Sequence, residues 1–180
     1  MNRLYKTLIF NKQVSLSVLD TTELCQRARD IHSLEPAAAK TLGELLTCGA
    51  YMAGCLKSEK GAVSITIKAG ENSGTASVSG DVNLHMRGYI DGNAGGRLAG
   101  GFMTVVKDDG FFRPFTGASE LISDDVSENM EHYFELSEQI FTKCAWRQSL
   151  RAKNALPRAA WLCRFSPARA RTLKRLSSIR

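Results

Sequence analysis

The side chains that could do chemistry are few and scattered. Glu128, His132 and Glu135 stand at i, i+4 and i+7, a spacing that brings three metal-ligating residue types to one face of a helix. No HExxH accompanies them, and charged side chains at this spacing usually form the solvated face of a helix. Ser119 and Ser137 lack the GxSxG turn that presents a nucleophile. His32 and His85 stand alone, as surface or interface histidines do. The run GNAGGRLAGG (92–101) invites a phosphate reading. It holds neither GxGxxG nor GxxxxGK[ST], and its expected flanks are strands, so a mobile hairpin loop is expected there. The five cysteines (Cys25, Cys48, Cys55, Cys144 and Cys163) form no CxC or CxxC pair and no even framework, which suits a reduced cytosol. No catalytic, cofactor-binding or metal-ligating residue is assigned, and that absence counts against an enzyme.

The elements around these residues are organised by Thr41–Glu59, TLGELLTCGAYMAGCLKSE. Leu42, Leu45, Leu46 and Leu56 fall at helical spacing, and from Leu45 to Leu56 no residue is charged. A helix apolar on every face is buried in a core or spans a membrane. Twelve uncharged residues are too few for a span of about 20. Gly43, Gly49, Ala50, Ala53 and Gly54 let neighbouring backbones approach closely, and Cys48 and Cys55 read as small buried hydrophobes. Sheet is expected on more than one side of this helix.

At 180 residues the chain suits one domain with a core of useful size. The start, MNRLYKTLIF, is not a secretory leader, and a cytoplasmic location is expected. The net charge of +6 hides an asymmetry. Residues 1–142 carry 13 Lys and Arg against all 18 acids, while 143–180 carry 11 Lys and Arg and no acid. An acidic body joined to a basic tail marks a boundary near residue 142.

Residues 4–10 and 13–19 alternate as a β-hairpin around Asn11-Lys12. Asp20, Thr21 and Thr22 offer N-caps for a helix to about His32, with Leu24, Ala28 and Ile31 as its buried stripe. Pro36 suits a helix start. Strands are expected at 62–70, TASVSGD, LHMRGYID and 102–109. FFRPFTGASEL then leads into a helix from about Asp124 to Ile140, with Met130, Phe134 and Ser137 on one face. Strands in runs predict α+β, a layered β/α/β domain around a buried central helix.

Several segments resemble the thirty-three-kilodalton heat-shock chaperone family, the redox-regulated holdase of the bacterial cytosol. They are the opening hairpin with Asp20-Thr21-Thr22, LGELLTCGAYMAGCLK, VSITIKAG, LHMRGYI, GGFMTVVKDDG and PFTGASELISDDVSENMEHYFELSEQI. Tyr133-Phe134 followed by Ser137-Glu138-Gln139-Ile140 is the most specific match. The resemblance covers about residues 1–142 and implies a chaperone that binds unfolding proteins without ATP. It also implies zinc held by four cysteines, as CxC and CxxC, in a C-terminal module of full-length members. Oxidation of those thiolates releases the metal and exposes apolar surface.

After Ile140 the pattern departs from the family. The family would continue with proline where Phe141 stands, then with strands and a Gly-Gly-bearing apolar segment. Cys144 and Cys163 are too few and too far apart for its zinc site. Residues 1–142 are thus expected to form a chaperone domain lacking its last strands, and 143–180 a non-family tail with little regular structure. No zinc is expected in this chain, and the redox switch is expected to be missing. The acid-free tail suits translation out of frame: synonymous codons from Asn154, read in another frame, give RPAAGGLVVQVLPGAGEDAEKA, close to the segment the family would have there. The expected partners are unfolded or misfolded clients, with a homodimer also considered, no membrane, and client contacts unassigned. The alternatives are a non-functional frameshifted remnant or non-specific nucleic-acid binding through the tail, where Trp146, Trp161 and Phe165 stand among the cations.

Overall fold

The computed structural model describes residues 3–70, 74–91, 94–111, 113–148 and 157–165, with the backbone alone of 147–148 and 157–163. Strands β1 (Arg3–Ile9) and β2 (Val14–Asp20) form the expected hairpin, turned by Phe10, Asn11 and Lys12 at φ values of 50°, 52° and 65°. Helix α1 (Thr22–His32) follows. Thr21 occupies the N-cap position but does not cap: its hydroxyl lies 2.7 Å from that of Thr47, in the core. Asp20 takes the first N–H instead, at 3.1 Å from Thr22 N. The stripe on α1 is also rotated from expectation. Cys25 is buried, Leu24 and Ala28 are half-buried, and Ile31 is 65% exposed.

Helix α2 (Pro36–Ala53) has proline in its first turn and stops at Gly54, earlier than the expected 59. Residues Thr41 to Ala53 are buried without a break, so the helix is enclosed on all sides. That run includes Glu44, 1% exposed, with Lys40 Nζ 4.0 Å from it one turn back.

Five antiparallel strands cover one side of α2 in the order β5-β4-β3-β6-β7: β3 (Ala62–Lys68), β4 (Thr75–Asp81), β5 (Met86–Ile90), β6 (Phe102–Asp108) and β7 (Phe115–Glu120). Val63, Ile65, Ile67, Ala76, Val78, Met103 and Val105 face inward. β7 corrects the expectation that 114–121 leads straight into a helix. No large apolar side chain alternates there, because Gly117 faces Tyr133, and a Cβ on Gly117 would fall 2.9 Å from the Tyr133 hydroxyl.

Helix α3 (Val126–Ser137) is shorter than expected and capped by Asp125, which accepts the N–H of Ser127 at 2.7 Å. Met130, Tyr133 and Phe134 are buried, with the Phe134 ring edge-on to Tyr51 of α2.

The segment expected to hold little regular structure supplies two strands, β8 (Thr142–Gln148) and β9 (Pro157–Phe165). They complete a second antiparallel sheet, in the order β1-β2-β9-β8. Thr142, Cys144 and Trp146 alternate toward the core while Lys143 and Ala145 are exposed, a period of two within a stretch dominated by its charge. The result is the predicted α+β layering, with α2 between two sheets and flanked by α1 and α3.

Candidate functional site

From Ala94 onward the glycine-rich run is not a loose loop; residues 92–93 lie outside the described residues. Ala94 and Leu98 are fully buried, and Asp124 Oδ1 accepts the N–H groups of Leu98 and Ala99 at 2.8 and 2.9 Å. Those two N–H groups hold the Asp124 carboxyl below the usual carboxylate range. A Cβ on Gly95 would lie 2.6 Å from the Ala38 backbone nitrogen, so glycine here permits close backbone packing against α2 rather than binding of a phosphate. The buried Ala94 and Leu98 are the signal that the composition masks.

Glu128, His132 and Glu135 line a shallow groove with Phe141 and Lys143, but among the described residues no three His, Cys, Asp or Glu side chains are arranged to hold a metal ion. The acid that matters structurally on this helix is Glu131. It accepts the Cys144 N–H at 2.8 Å and pairs with Lys143 at 2.5 Å, tying α3 to β8. Nothing in its spacing distinguishes it from its neighbours. Ser119 is buried, and Ser137 donates to the Ala118 carbonyl at 3.2 Å. His32 Nε2 lies 3.0 Å from the Gly88 carbonyl, and His85 Nδ1 lies 3.0 Å from Asp81. The His85 backbone N–H, with the His85 ring and the Asn83 N–H, holds the Asp81 carboxyl below its usual range against the opposing effect of burial.

Burial pushes the Cys25 thiol up and the Cys48 thiol well up, which removes the thiolate that reactions and metals require. Cys48 matches the expected small buried hydrophobe, while Cys55 at the end of α2 is only half-buried. Trp146 is half-buried against the core, and Phe165 tilts against Phe141 with ring centroids 5.3 Å apart. The side chains of Trp161 and Cys163 lie outside the described residues.

The exposed faces of the two sheets differ in chemistry. That of the five-stranded sheet is hydroxylic, with Ser64, Thr66, Ser77, Ser79 and Thr104 along its rows and a Thr66–Ser77 hydroxyl pair at 3.1 Å. The outer face of the four-stranded sheet lies opposite the one that buries Leu19 and Ser17, and among its described side chains Tyr5, Ile9, Leu16, Val18 and Ala145 are apolar while Arg3, Thr7, Asp20 and Lys143 are polar. Tyr5 is 57% exposed there, with Leu16 and Val18 half-buried beside it. One register row runs Tyr5, Val18, Trp161, Ala145 across all four strands. β1 is also an edge strand, and Leu8 and Phe10 at its hairpin end are exposed. Unpaired backbone beside exposed apolar side chains is how a sheet takes up an extended segment of another chain. This surface is the candidate site.

Fold and site together define a β/α/β layered α+β domain that offers an apolar sheet face. The model of the Hsp33 protein family matches residues 2–160, past the point where the sequence resemblance stops, and the chain belongs to that family. It is 32% identical over 152 residues to the 33 kDa chaperonin of Clostridium novyi, covering 77% of this chain and 52% of that protein. It is 31% identical over 153 residues to the 33 kDa chaperonin of Alkaliphilus metalliredigens, again covering 77% and 52%. The crystal structure of the 33 kDa chaperonin from Thermotoga maritima shares the fold with a TM-score of 0.79 at 22% identity, over 90% of this chain and 60% of that one. The chain thus spans about half the length of these curated relatives.

Proposed function

We propose that this chain is an ATP-independent holdase module that binds unfolding proteins in the cytoplasm and performs no catalysis. The observation that carries the reading is the apolar outer face of the four-stranded sheet beside the open edge of β1. Unfolding chains expose apolar side chains and unpaired backbone together, and this surface answers both. Membership of a family whose relatives are named chaperonins supports it. Among the described residues no helix is long and apolar enough to cross a membrane.

Within these 180 residues the cysteines form no CxC or CxxC pair. We therefore assign this chain neither zinc nor a thiol switch, and expect its holding to be indifferent to reductant. The acid-free composition after residue 142 fits a change of reading frame between Ile140 and Asn154. Nucleotide sequence lacking a family-like reading in both alternative frames would sink that explanation. A homodimer and salt-sensitive, non-specific nucleic-acid binding are compatible with this assignment.

The test is suppression of aggregation of a chemically unfolded client by residues 1–180, with and without reductant. Equal holding in both conditions, with loss in Val18→Glu at unchanged far-ultraviolet circular dichroism, is the expected result. A folded chain that holds nothing would refute the proposal and favour a non-functional remnant.

A further inference from the structure

A groove of about 240 Å³ runs between α3 and the edge strand β8. Ile122, 57% exposed, and Phe141 give it an apolar wall, while Glu128, Glu131, His132 and Glu135 line it from α3. One cation already sits there. Lys143 pairs with Glu131 and places its Nζ 5.7 Å from the centre of the Phe141 ring. A carboxylate beside an aromatic ring is a seat that favours ammonium and guanidinium groups. Glu128 has no ion-pair partner among the described residues. The lining therefore sets three carboxylates against a single lysine.

The end of β9 lies at the same place. Phe165 tilts against Phe141 with ring centroids 5.3 Å apart, and its N–H donates to the Phe141 carbonyl at 3.0 Å. The chain thus passes beyond Phe165 at the lip of the groove. Residues 166–180, outside the described residues, carry Arg169, Arg171, Lys174, Arg175 and Arg180 with no acid, and Leu173, Leu176 and Ile179 at every third position. Glu128 and Glu135 are about 10 Å apart along the axis of a helix, a length that three or four extended residues cover.

We propose that residues 166–180 dock in this groove of their own chain, with their cations on Glu128 and Glu135 and their aliphatic side chains against Ile122 and Phe141. The short connection keeps the segment at about millimolar effective concentration, so individually weak exposed pairs suffice. The contact depends on charge and reach alone and is indifferent to how the segment arose. It goes beyond the client-binding reading and does not rest on it.

The test is carbodiimide cross-linking of the full chain at low salt, mapped by mass spectrometry. The reagent condenses a carboxylate and a touching amine into an amide and takes up the water released. Lys174 is the lysine of the segment, and the Glu131–Lys143 pair is the internal reference. Lys174 should join Glu128 or Glu135 within one chain, at a yield independent of protein concentration and about fivefold lower at about 1 M salt. Arg169→Glu with Arg171→Glu and Arg175→Glu leaves Lys174 and the folded body in place, and should cut the yield about tenfold. Lys174 cross-links spread evenly over the acids of the whole surface, formed only between copies, or missing while the reference forms would each overturn the proposal. So would an unchanged yield in the triple variant.

Discussion

Replacing Leu98 with alanine tests whether the glycine-rich run is part of the core. Leu98 is fully buried, and the backbone around it is pinned. Its N–H and that of Ala99 go to Asp124, and its carbonyl accepts from Gly101 at 3.2 Å. A site held this way cannot collapse onto the space left by the deleted side chain. Leucine-to-alanine changes in cores cost about 2–5 kcal/mol, more where the site cannot relax. We expect about 3 kcal/mol here, and at about 2–4 °C per kcal/mol for a chain of this size, a drop of about 6–12 °C in Tm. The assay is urea unfolding followed by far-ultraviolet circular dichroism, with the slope against urea unchanged so that the shift in midpoint reports stability. Ala99→Ser, at the exposed neighbouring position, should stay within about 0.5 kcal/mol. If Leu98→Ala also cost less than about 0.5 kcal/mol, the run would be the mobile loop its composition suggests, and the packing argument would fail.

Asp125→Ala should cost about 1 kcal/mol through loss of the α3 cap, with Asp125→Asn restoring most of it; equal stability of the alanine and aspartate proteins would contradict the capping role. Burial raises the Asp125 carboxyl, but hydrogen bonds from Ser127 and from the Glu128 N–H outweigh it, so the net shift is downward. Its contribution is therefore complete above the unfolded value of about 3.9 and lost as pH falls through the lower folded value. Unfolding compared across pH should show the gap to Asp125→Ala constant above about pH 5 and narrowing only below about pH 4. In native-state maleimide labelling mapped by mass spectrometry, Cys55 and Cys144 should react first and the buried Cys25 and Cys48 only as the chain opens; Cys48 reacting as fast as Cys55 would refute the burial.

What could be read in the sequence was what local pattern determines. α2 announced itself because its residues are apolar all round, and the hairpin because VSLSVL alternates. Partner-dependent features were hidden. Gly117 belongs to a strand only because Tyr133 arrives from α3, and Leu98 is core only because Asp124 pins its backbone. Thr21 had a capping residue's type but met Thr47 instead. Glu44 brings a carboxyl group into the enclosure around α2, which helical spacing could not foretell. At the site, no motif marks the client surface, because a diffuse apolar face is defined by what fails to cover it. The alternation of Cys144 and Trp146 was there to be seen, and charge drew attention away from it.

The strand order β1-β2-β9-β8 also has a consequence during synthesis. β2 pairs with β9, Val14 opposite Phe165, so the first strands made wait for the last ones described. At translation rates of about 5–20 residues per second, that wait is on the order of ten seconds. Throughout it, the hairpin has one side of β2 open and α2 lacks its second cover. The nascent protein is then itself a chain with exposed apolar surface and unsatisfied backbone, so until β9 docks it is a substrate for the kind of protection we propose it provides.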